Sequence, residues 1–110
     1  MSKKPYRIGN AGVEDLRLTR MLGMARQVLH RTAEQEDGIQ KLWWGVLCQA
    51  LRDLTGVGGE VLREDAEEWL SGTGMDSVDM VCDACRIERA YLDSVLRTAV
   101  TEAGRTNGRA

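Results

Sequence analysis

The chain has 110 residues, of which 43% are hydrophobic and 29% are charged, and its formal net charge is −2. This length and balance are those of one globular domain with its own core, and no apolar run reaches the roughly 18 residues that a membrane span needs. The basic N-terminus has no apolar stretch behind it, so it predicts no secretory signal, and we expect a cytoplasmic protein with three reduced cysteines.

The first third of the chain predicts a basic arm, a helix and a loop. Residues 1–11 form the arm, and the helix begins near Gly12. Residues 34–38 interrupt the helical pattern and predict a loop, in which Asp37 can cap the next helix. The apolar residues of the first helix recur at spacings of three and four, as in an amphipathic helix: Leu18, Met21, Leu22, Ala25, Val28 and Leu29.

The segment from Ile39 to Leu54 is the most apolar of the chain. Its apolar residues cover almost every face, which predicts a buried central helix against which the others pack. The adjacent Trp43 and Trp44 would point about 100° apart on that helix. We predict that Trp43 is buried and that Trp44 is the candidate anchor for a binding partner.

The second half predicts three more helices. A helix from Glu60 to Leu70 is followed by a short helix that ends near Cys85 and is capped by Asp76 or Ser77. The last helix runs from about Arg89 to Ala103. The residues of the Glu60–Leu70 helix that are predicted to face the core are Val61, Leu62, Ala66, Trp69 and Leu70.

The predicted fold is therefore an all-α compact bundle of about five helices. A single helical domain spans residues 12–103, and residues 104–110 are predicted to be a flexible tail. The glycines at 56, 58 and 59 follow a helix and not a strand, so they predict a turn and not a phosphate-binding loop.

Residues 78–97 have the spacing of a helix-turn-helix. Cys82 takes the small position of the first helix and Ile87 the apolar position after the turn, whereas Arg86 stands where glycine is usual. The corner is either a DNA-reading motif or an ordinary helical corner that closes the core. Two carboxylates on the outward side of the second helix disfavour DNA contact, since that side would consist of Glu88, Arg89, Asp93, Ser94 and Arg97.

Cys82 and Cys85 form a CxxC pair, which is typical of half a zinc site or of a redox dithiol. The remaining candidate ligands, Cys48 and His30, lie in other predicted helices. The spacing of the pair places both cysteines on one helix face, which favours core packing. We therefore predict no metal and no cofactor. With no nucleophile–base pair visible either, we predict that the protein is not an enzyme.

The stretch from Trp43 to Arg97 resembles small helical proteins encoded by bacteriophages and prophages. The resemblance implies a phage setting and a helix-turn-helix-like C-terminal corner, and it carries over no functional residue. The residues that carry it are Trp43, Trp44, Gln49–Leu54, Asp65, Ala66, Trp69, Leu70, Val81 and Cys82.

Charge is divided unevenly along the chain, and this division predicts two alternative functions. Residues 1–32 carry seven basic and two acidic side chains, whereas residues 58–83 carry eight acidic side chains against Arg63. The first alternative is a DNA-associated regulator. Its basic binding residues would be Arg17, Arg20, Arg26, Arg31, Arg89 and Arg97.

The second alternative is an inhibitor of a host defence system, of the anti-CRISPR or anti-restriction type. Carboxylates spaced along its surface would imitate phosphates on a basic host protein. The partner is thus DNA or a host protein, with no membrane, and a homodimer is compatible with either function. The predicted contact residues of the inhibitor are Glu60, Glu64, Glu67, Glu68 and Trp44.

Overall fold

A computed structural model describes the backbone of residues 16–108 and the side chains of residues 16–103. This part of the chain contains no strand and forms a compact bundle, so the all-α prediction is confirmed. The predicted arm and the start of the first helix at Gly12 lie outside the described residues. The helices are α1 (Leu16–Thr32), α2 (Gly38–Leu54), α3 (Glu60–Ser71), α4 (Asp79–Cys85) and α5 (Arg89–Gly108).

The helices pack against one another in five pairs within the described residues. The helix α2 contacts α1, α3 and α4, while α5 lies along α1 and meets α4 at a corner. Within the described residues, α1 and α3 each contact α2 but make no contact with each other. The helix α5 continues to Gly108, beyond the end predicted at Ala103, so most of the predicted flexible tail is helical.

The start of α2 is stabilised by a capping box, which confirms the predicted loop and cap. The Asp37 carboxylate accepts the backbone N–H of Gln40 at 2.7 Å, and the Gln40 side-chain oxygen accepts the backbone N–H of Asp37 at 3.4 Å. The Gln40 amide also donates to the backbone oxygen of Ala84 at 3.0 Å. The cap of α2 is thus also a contact with the end of α4.

The prediction that α2 is buried on almost every face is wrong. Ile39 and Leu42 are each 66% exposed and Val46 is 37% exposed. The physical reason is that neighbouring helices cover only part of the circumference of α2, so its apolar residues divide between a buried and an exposed face. The buried face consists of Trp44, Leu47, Ala50, Leu51 and Leu54.

The two tryptophans are placed the opposite way from the prediction. Trp44 is buried, and its ring meets the ring edge of His30 at a centroid distance of 5.5 Å. Trp43 is only partly buried at the margin of the core. Trp44 is therefore not an exposed anchor, because it lies on the same side of α2 as Leu47 and Leu51, which face the core.

Arg89 is partly buried, and its guanidinium bonds within the fold. Its guanidinium donates to the backbone oxygens of Leu70 at 2.9 Å and Gly72 at 2.7 Å. It also donates to the carboxylates of Asp79 at 2.6 Å and Asp93 at 3.0 Å. Four of the five N–H donors of Arg89 are therefore used within the fold, and its contact with a partner stays a prediction.

Asp79 is fixed from two sides. Its second carboxylate oxygen accepts the backbone N–H of Gly74 at 2.8 Å. This hydrogen bond, together with the Arg89 guanidinium, lowers the pKa of Asp79 below its ordinary value of 3.8. Asp79 therefore remains a charged partner for Arg89 throughout the neutral range. Val78 occupies the N-cap position of α4, and the hydroxyl of Ser77 accepts the Asp79 N–H at 3.2 Å.

Replacing Arg89 by methionine is expected to destabilise the fold by about 2–4 kcal/mol, because two backbone carbonyls and two carboxylates lose their donor. Chemical denaturation at neutral pH measures the loss. The matched change Arg97→Met, on an exposed arginine of the same helix, should stay within about 0.5 kcal/mol of the wild type.

The difference between wild type and Arg89→Met should also depend on pH. The ion pair contributes above the ordinary pKa of Asp79, 3.8, and its contribution is lost as the pH falls through the lowered pKa of the folded state. Equal stability of the two arginine variants at neutral pH would contradict the role assigned to Arg89.

Candidate binding surfaces

The outer face of α1 is basic. Arg17, Arg20 and Arg31 are exposed, and at 100° per residue they project within about 60° of one another. We call these three residues the basic face of α1. The described helix contains no carboxylate between Leu16 and Thr32. Arg20 and Arg31 are separated by about 17 Å along the helix axis, since each residue adds about 1.5 Å.

Arg26 belongs to a different side of α1. It lines a groove of about 500 Å³ between α1 and α2, and Arg52 lies on the α2 side of the same groove. Gly23 of α1 and Gly45 of α2 both line it, and a Cβ atom added to either would meet no other atom within 4 Å. The absence of these side chains leaves the groove open between two guanidinium groups.

Cys48 lies in this groove. Burial raises the pKa of its thiol, while the charge and a hydrogen bond of Arg26 lower the pKa in part. Cys48 is partly buried, whereas Cys82 and Cys85 are buried in the core. Of the three thiols, the one in the groove, Cys48, is therefore the most accessible.

The CxxC pair is part of the core. Burial raises the pKa of Cys82 to about 11, and the Cys85 thiol lies 3.5 Å from the backbone oxygen of Gln40, to which it donates. Within the described residues, no group of three or more His, Cys, Asp or Glu side chains is placed to hold a metal ion. The four candidate zinc ligands, His30, Cys48, Cys82 and Cys85, are therefore not brought together.

The acidic residues of α3 divide into exposed and buried groups. Glu64, Asp65 and Glu68 are exposed, and we call them the acidic face of α3. Glu60 is partly buried, and its carboxylate accepts from Arg63 at 2.6 Å. Glu67 is only 2% exposed. Glu67 therefore cannot contact a partner as predicted, since it lies on the core-facing side of its helix.

Two apolar residues of α3 are also placed differently from the prediction, whereas Ala66 and Leu70 are buried as predicted. Val61 is 71% exposed and Leu62 is 44% exposed. The reason is that another set of residues, spaced i, i+3, i+4 and i+7, faces the core and turns the first-turn apolar residues outward. The buried residues of α3 are Arg63, Ala66, Glu67 and Leu70.

The corner between α4 and α5 exposes one arginine at the turn and another beyond it. Arg86 adopts a left-handed backbone conformation with φ of 58° at the turn, the conformation that glycine adopts most easily. Ile87 is buried as predicted. Beyond the turn, Arg97 is exposed, whereas Asp93 is held by Arg89. Two consecutive helices meet at this turn, but a helix-turn-helix motif here and its recognition of DNA stay predictions.

No protein-family model, curated protein or solved structure matches the chain. None of the helices in the described residues is both long enough and apolar enough to cross a membrane. The surfaces described above therefore have to be interpreted from their own chemistry.

Sequence reasoning missed two features of the surface. It did not identify Arg52, which shares the groove with Arg26, nor the exposed apolar residues Ile39, Leu42 and Val46 of α2. The spacing of i, i+3 and i+7 was available in the sequence as a signal for one common face. This spacing did not stand out in the sequence, because the other sides of α2 are also rich in apolar residues.

The three cysteines should differ in reactivity toward a thiol reagent. At pH 8 we expect one thiol, Cys48, to react at least about tenfold faster than the other two, because they are buried in the core. The rate at Cys48 should rise with pH, since the thiolate is the reacting form and the thiol pKa is raised.

The Cys48→Ser variant tests the assignment of the fast phase. It should lack that phase, and denaturant should then expose the two remaining thiols. Three equal rates in the folded wild type would contradict the burial described for the CxxC pair.

Proposed function

We propose that the protein is a non-enzymatic, DNA-associated regulator of the phage or prophage type that contacts the phosphate backbone through α1. The observation that carries the proposal is the basic face of α1, which presents exposed arginines on a helix without carboxylates. Arginines on one helix face are suited to contacting successive phosphates along a duplex, and such contacts supply most non-specific affinity.

The acidic helix α3 is a possible source of repulsion between the protein and DNA. The acidic α3 would repel DNA most strongly if it packed against α1, but the described residues of the two helices make no contact with each other. Helices that pack directly are about 8–10 Å apart, so a helix that does not pack against α1 lies beyond about one Debye length at physiological salt. A duplex on α1 would therefore be largely screened from the acidic face of α3.

The proposal gives α1 the main role and the corner a secondary one. Arg89 uses four of its five N–H donors within the fold. Arg97 is exposed and would be the contributing arginine of the corner. The groove arginines Arg26 and Arg52 would add positive potential beside the basic face, without being required to touch DNA.

Binding to a labelled duplex of about 20 base pairs, followed by fluorescence anisotropy, tests this function. Three phosphate contacts predict that affinity falls about 40-fold when salt is raised from about 50 to about 200 mM. The Arg20→Glu change should weaken binding at low salt by at least about fivefold and should reduce the salt dependence, because a phosphate contact is lost.

The control is Lys41→Glu, which makes the same charge change at an exposed position of α2 and should have a much smaller effect. Arg97→Glu measures the part played by the corner. If Lys41→Glu weakens binding as much as Arg20→Glu, the interaction depends on overall charge and the basic face is not the site. Absence of any binding at about 50 mM salt would exclude the proposed function.

A second candidate function is inhibition of a basic host protein through the acidic face of α3. The observation in its favour is Val61, which is 71% exposed on a helix with the exposed carboxylates of Glu64, Asp65 and Glu68. An apolar side chain surrounded by charges of one sign is a common arrangement at protein interfaces, where it is buried while the charges steer association.

Affinity capture from a host lysate with mass spectrometry tests the second candidate. A specific partner should be lost from the Glu64→Lys, Glu68→Lys double variant, because two carboxylates become repulsive. The matched control, Glu36→Lys with Glu88→Lys, changes the same charge at two exposed positions outside α3 and should retain the partner. Equal loss in both double variants would exclude recognition by the acidic face.

A further inference from the structure

A line of exposed side chains runs along the outermost side of α1 and consists of Arg20, Met24, Gln27 and Arg31. The four residues follow one another at spacings of four, three and four, so at 100° per residue they project within about 60° of one another. We call them the outer stripe of α1. The stripe lies opposite the buried side of the helix, which carries Leu18, Leu22, Ala25 and Leu29.

The ends and the centre of the outer stripe differ in chemistry. The ends are the guanidinium groups of Arg20 and Arg31. The centre is the thioether of Met24, which is 56% exposed, and the amide of Gln27, which is also exposed. Val28 is 39% exposed and follows Met24 by four residues, so it lies beside Met24 on the surface. The stripe therefore presents apolar surface and an amide between two cations.

We propose that α1 lies in the major groove of duplex DNA, where Gln27 and Met24 recognise A·T base pairs. The inference rests on the proposed phosphate contact of α1 and adds base recognition to it. A glutamine amide can donate to N7 of adenine while its oxygen accepts from the N6 amino group. An apolar side chain such as that of Met24 can pack against the C5-methyl group of thymine.

The positions of the two arginines fit a helix in the major groove. The groove admits an α-helix, but it curves around the duplex, so a straight helix stays close to the base edges only over its middle turns. The ends of the helix then lie beside the phosphates. Arg20 and Arg31 lie about 6 Å beyond Met24 and Gln27 along the axis, so base contacts in the centre and phosphate contacts at the ends can form together.

The chemistry of the centre favours A·T over G·C pairs. Guanine is read most often by Arg or Lys, and the amino group of cytosine by Asp or Glu. Neither type of residue stands between Arg20 and Arg31 on the stripe. Arg26 projects about 130° away from the stripe and lines the groove toward α2. The base-reading groups of the stripe are therefore those that suit adenine and thymine.

Fluorescence anisotropy with duplexes of the length used above tests the inference. We expect the wild type to bind alternating A·T pairs at least about fivefold more tightly than alternating G·C pairs. Because these duplexes also differ in shape, the deciding comparison alters only the major-groove edge of the A·T duplex. Replacing adenine by 7-deazaadenine removes the N7 acceptor, and replacing thymine by uracil removes the methyl group; each should weaken binding by at least about threefold.

Two variants assign each contact to its side chain. Gln27→Ala should lose the response to 7-deazaadenine and keep the response to uracil, and Met24→Ala should do the reverse, because each change removes one member of a contacting pair. Both variants should keep the salt dependence, which the arginines provide.

The matched controls are Gln49→Ala and Met75→Ala, which remove the same side chains at exposed positions outside α1 and should respond as the wild type does. Circular dichroism establishes that each variant is folded, as expected from the exposure of all four positions.

The outcomes separate base recognition from the phosphate contact. Salt-dependent binding with equal affinity for the modified and unmodified A·T duplexes would overturn base recognition while leaving the phosphate contact in place. A folded Gln27→Ala or Met24→Ala variant that keeps every wild-type response would overturn the role of that residue. Absence of binding to all duplexes at about 50 mM salt would overturn the inference together with the proposed function.

Discussion

The guanidinium of Arg89 joins three helices that would otherwise meet through few side chains. It binds the last carbonyls of α3 through Leu70 and Gly72, and it binds α4 and α5 through Asp79 and Asp93. Because helix ends carry unsatisfied carbonyls, a partly buried cation at that point satisfies them and also fixes the angle at which the next helix leaves. The path of the chain from α3 to α5 depends on this one side chain.

Because Arg89 bonds within the fold, the α4–α5 corner has fewer donors left for a binding partner. A recognition helix needs its outward donors for phosphates and bases, but here the first arginine of α5 is used inside the fold. The positively charged surface is instead on α1, which lies along α5 and carries Arg20 and Arg31 on its outer face. The structural arginine of α5 and the exposed arginines of α1 are therefore on different helices.

The sequence was sufficient for the order of the helices and for some of the local signals at their ends. The loop before Gly38, the cap at Asp37 and the helix beginning at Glu60 follow from interactions within a few residues, so a short segment contains the required information. Which side of a helix is buried depends on neighbours that are distant in the chain. For that reason the periodicity could not place Trp43 and Trp44 correctly.

The same limit applies to the charged residues. Glu67 and Arg89 look like surface residues in a linear sequence, since charged side chains are rarely buried unless they are paired. The contacts of Glu67 and Arg89 are made with other helices, and no local sequence pattern predicts how those helices pack. Exposed arginines such as Arg20 were predictable because they lie opposite a clear apolar stripe, and that stripe alone determines their direction.

The seven-residue helix α4 has a further property that follows from its C-terminal contacts. Its last carbonyls are satisfied by residues at and just before the start of α2. The Gln40 side chain in the first turn of α2 donates to Ala84, and the Glu34 N–H in the connection between α1 and α2 donates to Cys85 at 2.8 Å. These partners lie more than forty residues earlier in the chain. A helix of two turns is unstable alone, so α4 should become ordered only after α2 is in place. The α4–α5 corner is consequently not a transferable module, and grafting it onto another protein would require the α1–α2 connection to be moved with it.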